Sequence, residues 1–338
     1  MGIIGCGNNG YGHFKALRRV PEARITALAD AVPAQAERWV AELAPEEGRP
    51  LVTADPERMW DAVDAVWICT PPGFHGAQVR AALEAGKHVM CEKPLTLDLA
   101  EGDALVRLAR EKGLKLMAGY CLRFQPRFAH FKELVASGRI GELVYVWCTR
   151  TANRTSRTGT WRDDIAVSGG MLFETFTHNI DWMRHVAGEV TEVFAVEHTL
   201  NPVYNFEDHA FGAVRFAGGA SGEFKSSWSS PVSEYVWGVL GTKAQAVPTG
   251  RDGIKIAYLD GTEEVLTVGV TDQLFEEDRH FVDAVLNGKP LLVDGVDSLK
   301  TLEVHFALKL SAREGRPVRL PLENRAVRIT DFARRSSS

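Results

Sequence analysis

The sequence predicts an α/β fold in which a doubly wound parallel sheet is followed by an α+β domain with a large, mostly antiparallel open sheet. In the first third of the chain, short apolar runs alternate with amphipathic helical segments, as in a parallel sheet covered on both faces. A glycine-rich turn follows the first run. From residue 142 onward, segments with two-residue alternation dominate, which is typical of strands with one covered face. We therefore expect two domains, residues 1–121 and 122–338.

Composition and charge exclude several classes of protein. The 39 Lys and Arg residues against 44 Asp and Glu give a net charge of −5, which supplies no general basic field for nucleic acid. No apolar run approaches the ~20 residues that cross a bilayer, and no secretory signal precedes the first strand, so we expect a cytoplasmic protein. Five cysteines form no C-x-x-C pair, and their odd number favours buried, reduced thiols over disulfides.

The elements of the first half follow from its apolar runs. Residues 1–4 form a strand, and a helix follows the glycine turn through Phe14, Leu17 and Val20. Because this strand is shorter than the usual five or so residues, we expect the natural start to lie a few codons upstream. The later strands are predicted at 24–30, 50–53, 64–70, 87–91 and 114–120, and the helices at 33–43, 56–63, 74–85 and 97–112.

The glycine turn at residues 5–10 has the G-x-G-x-x-G spacing of dinucleotide-binding sites, with a strand before it and a helix after it. Gly5 permits the tight turn, Gly7 lets a pyrophosphate approach the backbone, and Gly10 allows the helix to pack closely on the strand. The helix N-terminus offers free N–H groups and a partial positive charge to the phosphates. This pattern predicts an N-terminal Rossmann domain. The predicted cofactor contacts in the turn are Gly5, Gly7, Asn8, Asn9 and Gly10.

Asp30 ends the second predicted strand, 20 residues after Gly10, where a carboxylate binds the adenosine ribose hydroxyls. The carboxylate would repel a 2′-phosphate, and Ala31 and Val32 supply no compensating cation. NAD is therefore favoured over NADP. The alternative is that Asp30 only caps the next helix.

Lys93 follows the fifth predicted strand, between Glu92 and Pro94. An ammonium group is costly to desolvate inside a sheet, and Pro94 has no N–H for a ladder. Lys93 is therefore expected at the carboxyl end of a parallel strand, where ligands of open α/β sheets bind.

A second loop leads to the same edge of the sheet. Thr70, Pro71 and Pro72 end the fourth strand in a rigid turn before His75. This geometry suits a wall against a nicotinamide ribose, and the alternative is a strand-to-helix turn with no ligand.

The second half begins with a helix at 126–136 and continues as β-rich segments with one helix among them. We predict strands at 143–151, 190–200, 209–216, 220–229 and 235–247, a weaker pair at 254–259 and 264–268, and C-terminal helices at 272–286 and 296–314. These segments together form the predicted second domain.

The predicted helix at 171–186, which follows Gly169 and Gly170, has two stripes of different polarity. By composition alone, the polar stripe is a solvated face. A metal site is formally possible from Glu, His and Asp at helical spacing, but no further ligand cluster accompanies it, and we predict none. The apolar stripe is Leu172, Phe176, Ile180 and Met183, and the polar stripe is Glu174, His178, Asp181 and His185.

These motifs resemble those of the glucose–fructose oxidoreductase / inositol dehydrogenase (Gfo/Idh/MocA) family over nearly the whole chain. The resemblance implies an N-terminal Rossmann domain and a C-terminal open sheet that often forms the interface of a homodimer or homotetramer. It also implies hydride transfer between a nicotinamide cofactor and a sugar, cyclitol or similar polyol. The motifs are the glycine turn, Thr70-Pro71-Pro72 with His75, Glu92-Lys93-Pro94, Arg123 with Pro126, and Gly169-Gly170 with Glu174, His178 and Asp181.

The resemblance implies a role for each residue of the catalytic signature. His178 is the general base that takes the hydroxyl proton, a task that an imidazole performs well near neutral pH. Lys93 hydrogen-bonds the reacting oxygen, stabilises the developing alkoxide and touches the nicotinamide ribose. Glu92, beside it, is a further cofactor-binding residue. Glu174 orients His178 or holds a substrate hydroxyl. The family's commoner pattern is D-x-G-x-H, so Glu174 and Phe176 are a departure that leaves the substrate and the role of Glu174 open.

Other residues are implied to line the site. Arg123 fixes the nicotinamide end of the cofactor, and Asp181 is structural. Trp161 and Arg162 lie where the family often has an aromatic–basic pair in its substrate pocket. The preceding loop carries further donors that would suit a carboxylated or phosphorylated sugar, although exposed loop arginines are common. These donors are Asn153, Arg154 and Arg157.

Three functions are compatible with this sequence. The first is a reversible NAD-dependent dehydrogenase that acts on a secondary alcohol. The second is a glycosidase of the same fold that works by transient oxidation and consumes no NAD overall. The third is a non-catalytic NAD-binding protein. The lysine and histidine together favour an enzyme.

Overall fold

The structure is a computed structural model that describes residues 1–154 and 158–333. Its internal contacts divide the chain into two compact units. The first unit is Met1–Cys121 with Asp272–Leu299, and the second is Leu122–Thr271 with the chain from Lys300 onward. The break after Cys121 lies where the sequence analysis put it. The segment Asp272–Leu299, which that analysis placed in the second domain, belongs instead to the first unit.

The first unit contains a fully parallel sheet of six strands in the order β3-β2-β1-β4-β5-β6. Short apolar strands buried on both faces require a layer of helices on each side, which the alternating helices supply. The α/β prediction is confirmed. The strands are β1 (Gly2–Ile4), β2 (Ala27–Ala29), β3 (Leu51–Thr53), β4 (Ala65–Ile68), β5 (His88–Glu92) and β6 (Leu116–Gly119), and the intervening helices are α1 (Asn8–Leu17), α2 (Pro33–Val40), α3 (His75–Glu84) and α4 (Leu99–Glu111).

The helix predicted at 56–63 is a 3-10 helix, Pro56–Ala62. Asp55 begins it by accepting a hydrogen bond from the Glu57 N–H. A 3-10 helix rises about 2.0 Å per residue, more than an α-helix, so a short segment spans a longer path between strands. Periodicity over seven residues does not distinguish these two helix types.

Helix α8 (Gln273–Asn287) packs in the first unit, and three contacts show why. Asp278 lies 2.8 Å from His13 Nδ1 and accepts a hydrogen bond of 2.8 Å from the Trp67 indole N–H. Phe281 meets the Trp67 ring edge-on, with ring centroids 5.2 Å apart. Because these partners are more than 200 residues away in sequence, local patterning could not assign α8 to its unit.

The second unit contains a nine-stranded sheet in the order β14-β13-β12-β11-β7-β10-β9-β8-β15. Only the pairing of β7 with β10 is parallel within this described sheet, so the prediction of a mostly antiparallel sheet is confirmed. The strands are β7 (Leu143–Asn153), β8 (Val190–His198), β9 (His209–Phe216), β10 (Ser221–Ser227), β11 (Ser229–Gly241), β12 (Ala244–Thr249), β13 (Gly253–Tyr258), β14 (Glu263–Thr267) and β15 (Val318–Arg319). The helices are α5 (Pro126–Ala136), α6 (Ile165–Ser168), α7 (Thr177–Ala187) and most of α9 (Gly295–Glu314).

Two predicted elements of this unit are divided in the structure. The strand predicted at 235–247 is two strands, β11 and β12, joined by a turn at Thr242 and Lys243. The Lys243 N–H donates to the Ile140 carbonyl, and the Thr242 hydroxyl accepts from the Glu142 N–H. The chain before β7 therefore stabilises this turn, and Gly241, Thr242 and Lys243 are the local turn signal that the prediction of a single strand passed over.

The helix predicted at 171–186 also differs at its start. Residues Leu172–Phe176 form one π-helical turn, and α7 begins only at Thr177. Turns of this kind are rare and are frequently found at functional sites. Among the described residues, no helix is long and apolar enough to cross a membrane.

Candidate active site

The glycine turn of the first unit has the geometry that its sequence predicts. Gly5 has a positive φ of 94°, and a Cβ there would lie 2.7 Å from the Thr70 backbone nitrogen. A Cβ at Gly10 would lie 2.2 Å from the Gly5 carbonyl oxygen, so α1 packs directly on the turn. A Cβ at Gly7, by contrast, would meet no atom within 4 Å. The turn is therefore closed on the protein side and open at Gly7, which fits the approach of a pyrophosphate.

Helix α1 begins at Asn8, and Gly7 precedes it without a side chain to cap the first N–H groups. Its first turn contains no acidic residue, so the partial positive charge of the helix N-terminus is not neutralised there. Asn8 and Asn9 are both exposed at this end. The residues present thus fit a phosphate-bearing cofactor.

Asp30 follows β2, and its carboxylate is fixed by two backbone donors. The Cys6 N–H of the glycine turn donates to Oδ2 at 2.7 Å, and the Val32 N–H donates to Oδ1 at 2.8 Å. The first bond ties the carboxylate to the glycine turn. The second closes a local turn before α2, whose N-cap is Val32 and which has no side-chain cap, so Asp30 does not cap that helix. Burial and the charge of Asp30 raise the pKa of the Cys6 thiol to about 12, so this cysteine stays neutral beside the turn.

His75 connects two loops at the carboxyl edge of the sheet. It is fully buried, and its ring nitrogens lie 2.7 Å from the Pro94 and Thr70 carbonyl oxygens. Burial, the largest influence, lowers its pKa despite these two contacts. His75 therefore links the Thr70-Pro71-Pro72 loop to the turn after β5 through these two carbonyl oxygens.

Lys93 lies at the carboxyl end of β5, half-buried between Glu92 and Pro94, which are both buried. Its own N–H donates to Glu92 Oε2 at 3.1 Å. Because all six strands are parallel, Lys93 and the glycine turn after β1 lie at the same edge of the sheet. Lys93 and the candidate dinucleotide turn therefore share one edge of the sheet, with β4 between their strands.

Sequence analysis missed a buried network that holds Glu92. The Glu92 carboxylate lies 3.3 Å from Nε2 of His13, whose Nδ1 lies 2.8 Å from Asp278. Burial lowers the pKa of His13, but the charges and hydrogen bonds of Asp278 and Glu92 outweigh this effect and raise it well above its ordinary value. The one available signal was a histidine on the apolar stripe of α1, beside the buried Phe14 and Leu17.

The second unit brings Trp161 and Arg162 to Glu174, which is 9% exposed. Arg162 donates from Nε to Glu174 Oε1 at 3.0 Å, and its guanidinium lies 4.2 Å from the centroid of the Trp161 ring. The Thr175 hydroxyl donates a short hydrogen bond to the other carboxylate oxygen of Glu174, and the Trp228 indole N–H donates to that hydroxyl at 2.9 Å. Sequence analysis found Trp161, Arg162 and Glu174 but not Trp228.

The polar stripe predicted at 171–186 is not a solvated face. His178 is half-buried, and Asp181 is completely buried. Arg123 makes a bidentate ion pair with Asp181, donating from Nε at 2.8 Å and from an Nη atom at 2.6 Å. A pair of this geometry between buried partners orients both groups strongly. Asp181 therefore has a structural partner, and Arg123 is held by the second unit.

A buried lysine supports the start of this helix, and the sequence gave no sign of it. Lys309 of α9 donates to Glu207 at 2.5 Å and to Glu197 at 2.8 Å. The other carboxylate oxygen of Glu207 accepts the Leu172 N–H at 3.0 Å, at the first residue of the π turn. A Cβ at Gly170 would lie 3.2 Å from Glu207, so the glycine before the turn allows this close approach.

The remaining predictions concern metals and loop donors. Within residues 1–154 and 158–333, no group of three His, Cys, Asp or Glu side chains is arranged to hold a metal ion. Arg154 lies 6.0 Å over the ring of Trp228. Arg157 lies outside the described residues.

Comparison with known proteins identifies the family. A family model described as an oxidoreductase family with an NAD-binding Rossmann fold matches residues 1–120, and the Gfo/Idh/MocA C-terminal domain model matches residues 128–247. The chain belongs to the Gfo/Idh/MocA oxidoreductase family. The inferred resemblance and the expectation of an NAD-dependent dehydrogenase are thereby confirmed at the level of the family.

Gfo/Idh/MocA relatives cover nearly the whole chain. This chain is 30% identical to scyllo-inositol 2-dehydrogenase (NAD(+)) of Bacillus subtilis, over 95% of its own length and 96% of that protein. The chain is also 30% identical to myo-inositol 2-dehydrogenase of Thermotoga maritima, over 95% of this chain and 98% of that protein. The crystal structure of aldose-aldose oxidoreductase from Caulobacter crescentus, complexed with glycerol, is 27% identical with a TM-score of 0.85, over 94% and 98% of the two chains. Other Gfo/Idh/MocA relatives are named for NADP, so the family leaves the choice between the cofactors open.

Proposed function

We propose that this protein is a reversible NAD-dependent dehydrogenase that oxidises a secondary alcohol of a sugar, inositol or related polyol. The observation that carries the proposal is the half-buried Lys93 at the same sheet edge as a glycine turn that is open at Gly7. The inositol and sugar names of the relatives support the substrate class. The acidic and donor groups around Glu174 suit hydroxyl recognition.

The proposed division of labour assigns each residue one task. A bound nicotinamide would supply the hydride acceptor or donor. The glycine turn and the α1 N-terminus hold its phosphates, and Asp30 holds the adenosine ribose. His178 takes the hydroxyl proton as the C–H hydride leaves, while the Lys93 ammonium donates a hydrogen bond to the reacting oxygen. Glu174, fixed by Arg162, accepts a hydrogen bond from a second substrate hydroxyl.

A substrate panel tests this proposal. Purified protein is mixed with NAD and with aldoses, inositols or sugar acids, and NADH absorbance is followed. We expect NADH formation with at least one cyclic polyol and little or none with primary alcohols. Hydrolysis of a glycoside that requires bound NAD without net NADH would support the glycosidase instead. NAD binding without turnover on the whole panel would point to a non-catalytic protein.

The preference for NAD depends on Asp30. The variant Asp30→Asn keeps the size of the side chain and one of its two accepting oxygens, but removes the charge that would repel a 2′-phosphate. We expect the ratio of kcat/KM for NAD to that for NADP to fall about tenfold or more, which corresponds to about 1.4 kcal/mol. The matched control is Asp61→Asn, an exposed aspartate of the same unit, which should leave the ratio unchanged. An unaltered ratio in Asp30→Asn would refute the assigned role.

We also propose that the nine-stranded sheet forms a homodimer or homotetramer interface. Residues directly opposite one another on neighbouring strands lie on the same face of a sheet. One such row crosses four strands, with Phe211 on β9, Lys225 on β10, Thr149 on β7 and Val236 on β11. Phe211 is 45% exposed and Val236 is 52% exposed, so this face carries large apolar side chains. Light scattering that shows a monomer at micromolar concentration would argue against the interface.

The cysteines support the expected cytoplasmic location. All five, including the buried Cys91 and Cys148, are free thiols. Burial raises the pKa of Cys91 well above its ordinary value, as expected for an inert reduced thiol. Recovery of the native protein in a periplasmic or secreted fraction would contradict a cytoplasmic location.

A further inference from the structure

A buried ionisable group lies next to the proposed catalytic lysine without a part in the proposed chemistry. His13 and Asp278 are both 0% exposed, and Glu92 is 8% exposed. The three side chains form one chain of contacts, Asp278 to His13 at 2.8 Å and His13 to Glu92 at 3.3 Å. All three lie in the first unit: Asp278 is on α8, His13 on α1 and Glu92 on β5.

The protonation state of His13 follows from its neighbours. The Trp67 indole N–H can only donate, so Asp278 Oδ1 accepts from it at 2.8 Å. The same oxygen faces Nδ1 of His13, which therefore donates as well. Nε2 faces the Glu92 carboxylate, which also requires a donor. The arrangement matches an imidazolium between two carboxylates, because a neutral imidazole donates from one nitrogen only.

The chain of contacts ends at the lysine. Glu92 uses one oxygen to face His13 and the other to accept the Lys93 N–H at 3.1 Å. Glu92 also lies close to Gly119 of β6, where a Cβ would be 3.3 Å from the Glu92 Cα. The carboxylate is therefore held on both sides, and its position fixes the backbone from which the Lys93 side chain extends.

We propose that His13, supported by Asp278, is a positioning residue for Lys93. The charged imidazole holds Glu92, and Glu92 holds the Lys93 backbone in the orientation that the reaction needs. The inference rests on the proposed function, because it assumes that Lys93 touches the reacting oxygen. His13 also lies on α1, the helix whose N-terminus follows the glycine turn, so α1 connects that turn to the carboxylate of Glu92.

A double-mutant cycle of His13→Gln and Glu92→Gln tests the proposal. We expect each single variant to lower kcat about tenfold, and the double variant to lower it no further than the worse single variant. The dissociation constant of His13→Gln for NAD should change by less than about twofold, because His13 is not proposed to touch the cofactor. Additive losses of kcat would overturn the proposal, as would a parental kcat in His13→Gln.

Controls separate positioning from folding. The variant His88→Gln changes a half-buried histidine of β5 in the same unit and should keep the parental kcat. If His13→Gln does not fold, Asp278→Asn tests the same link from its other end and should lower kcat in the same direction. A parental kcat in folded Asp278→Asn would then overturn the proposal.

The variant Lys93→Ala distinguishes this inference from the function on which it rests. An inactive Lys93→Ala with a fully active His13→Gln refutes the positioning role alone. A fully active Lys93→Ala refutes the proposed function. In the Lys93→Ala background, adding His13→Gln should cause no further loss of kcat, because the group that His13 positions is already absent.

Discussion

The variant His178→Ala is expected to lower kcat by about 10²–10⁴-fold, the usual contribution of a general base. Without the imidazole, no side chain at this position takes the hydroxyl proton as the hydride leaves. The affinity for NAD should persist, because the glycine turn and Asp30 of the other unit are unchanged. Steady-state turnover on the best polyol, together with NAD titration by fluorescence, measures both quantities.

The matched control is His185→Ala, a second half-buried histidine on the same helix. Its Nδ1 lies 3.5 Å from Lys132, and no catalytic task is proposed for it. Its kcat should remain within about twofold of the parent. The variant Lys93→Ala should resemble His178→Ala, with a lower kcat and retained NAD binding. A parental kcat in His178→Ala would show that the proton goes elsewhere.

The variant Lys309→Ala is expected to lower the free energy of unfolding by about 3–5 kcal/mol, since it leaves buried carboxylates without their cation. Lys309 is 3% exposed, and Glu207 is 1% exposed. Burial lowers the pKa of Lys309, but the two glutamates outweigh it and raise the pKa, so the lysine is charged. Urea unfolding followed by tryptophan fluorescence measures the loss.

Lys300→Ala provides a control on the same helix. Lys300 also pairs with a glutamate, Glu189, but both side chains are about half exposed. An exposed pair contributes at most about 1 kcal/mol, so this variant should be nearly as stable as the parent. Adding Glu207→Gln to Lys309→Ala should recover part of the loss, because it removes one uncompensated charge. Equal losses in Lys309→Ala and Lys300→Ala would contradict the electrostatic explanation.

Much of the fold could be predicted because the relevant signals are local. The parallel sheet follows from short apolar runs between amphipathic helices, and the antiparallel sheet from two-residue alternation. The turn between β11 and β12 was missed although Gly241, Thr242 and Lys243 interrupt the apolar run there. Its hydrogen bonds to Ile140 and Glu142, about 100 residues earlier, are not visible in the local sequence.

In the candidate site too, local motifs could be predicted from the sequence, whereas contacts between distant residues could not. The glycine turn, Asp30, Lys93, Glu174 and His178 were found because each stands in a short motif or at helical spacing. The polar stripe of 171–186 could be placed on one face but not classified as exposed or buried. Only the packing of Arg123 on Asp181 and of Arg162 on Glu174 decides that this face is enclosed.

By itself, the sequence determined the order of the elements, the glycine turn and which residue types stand at strand ends. Tertiary structure alone decided that α8 joins the first unit, that Asp278 and Glu92 enclose His13, and that Lys309 meets Glu207. The physical reason is that periodicity records which face of a segment is buried, but not its partner. His13 and Asp278 are 265 residues apart, and their pairing depends on how whole helices pack.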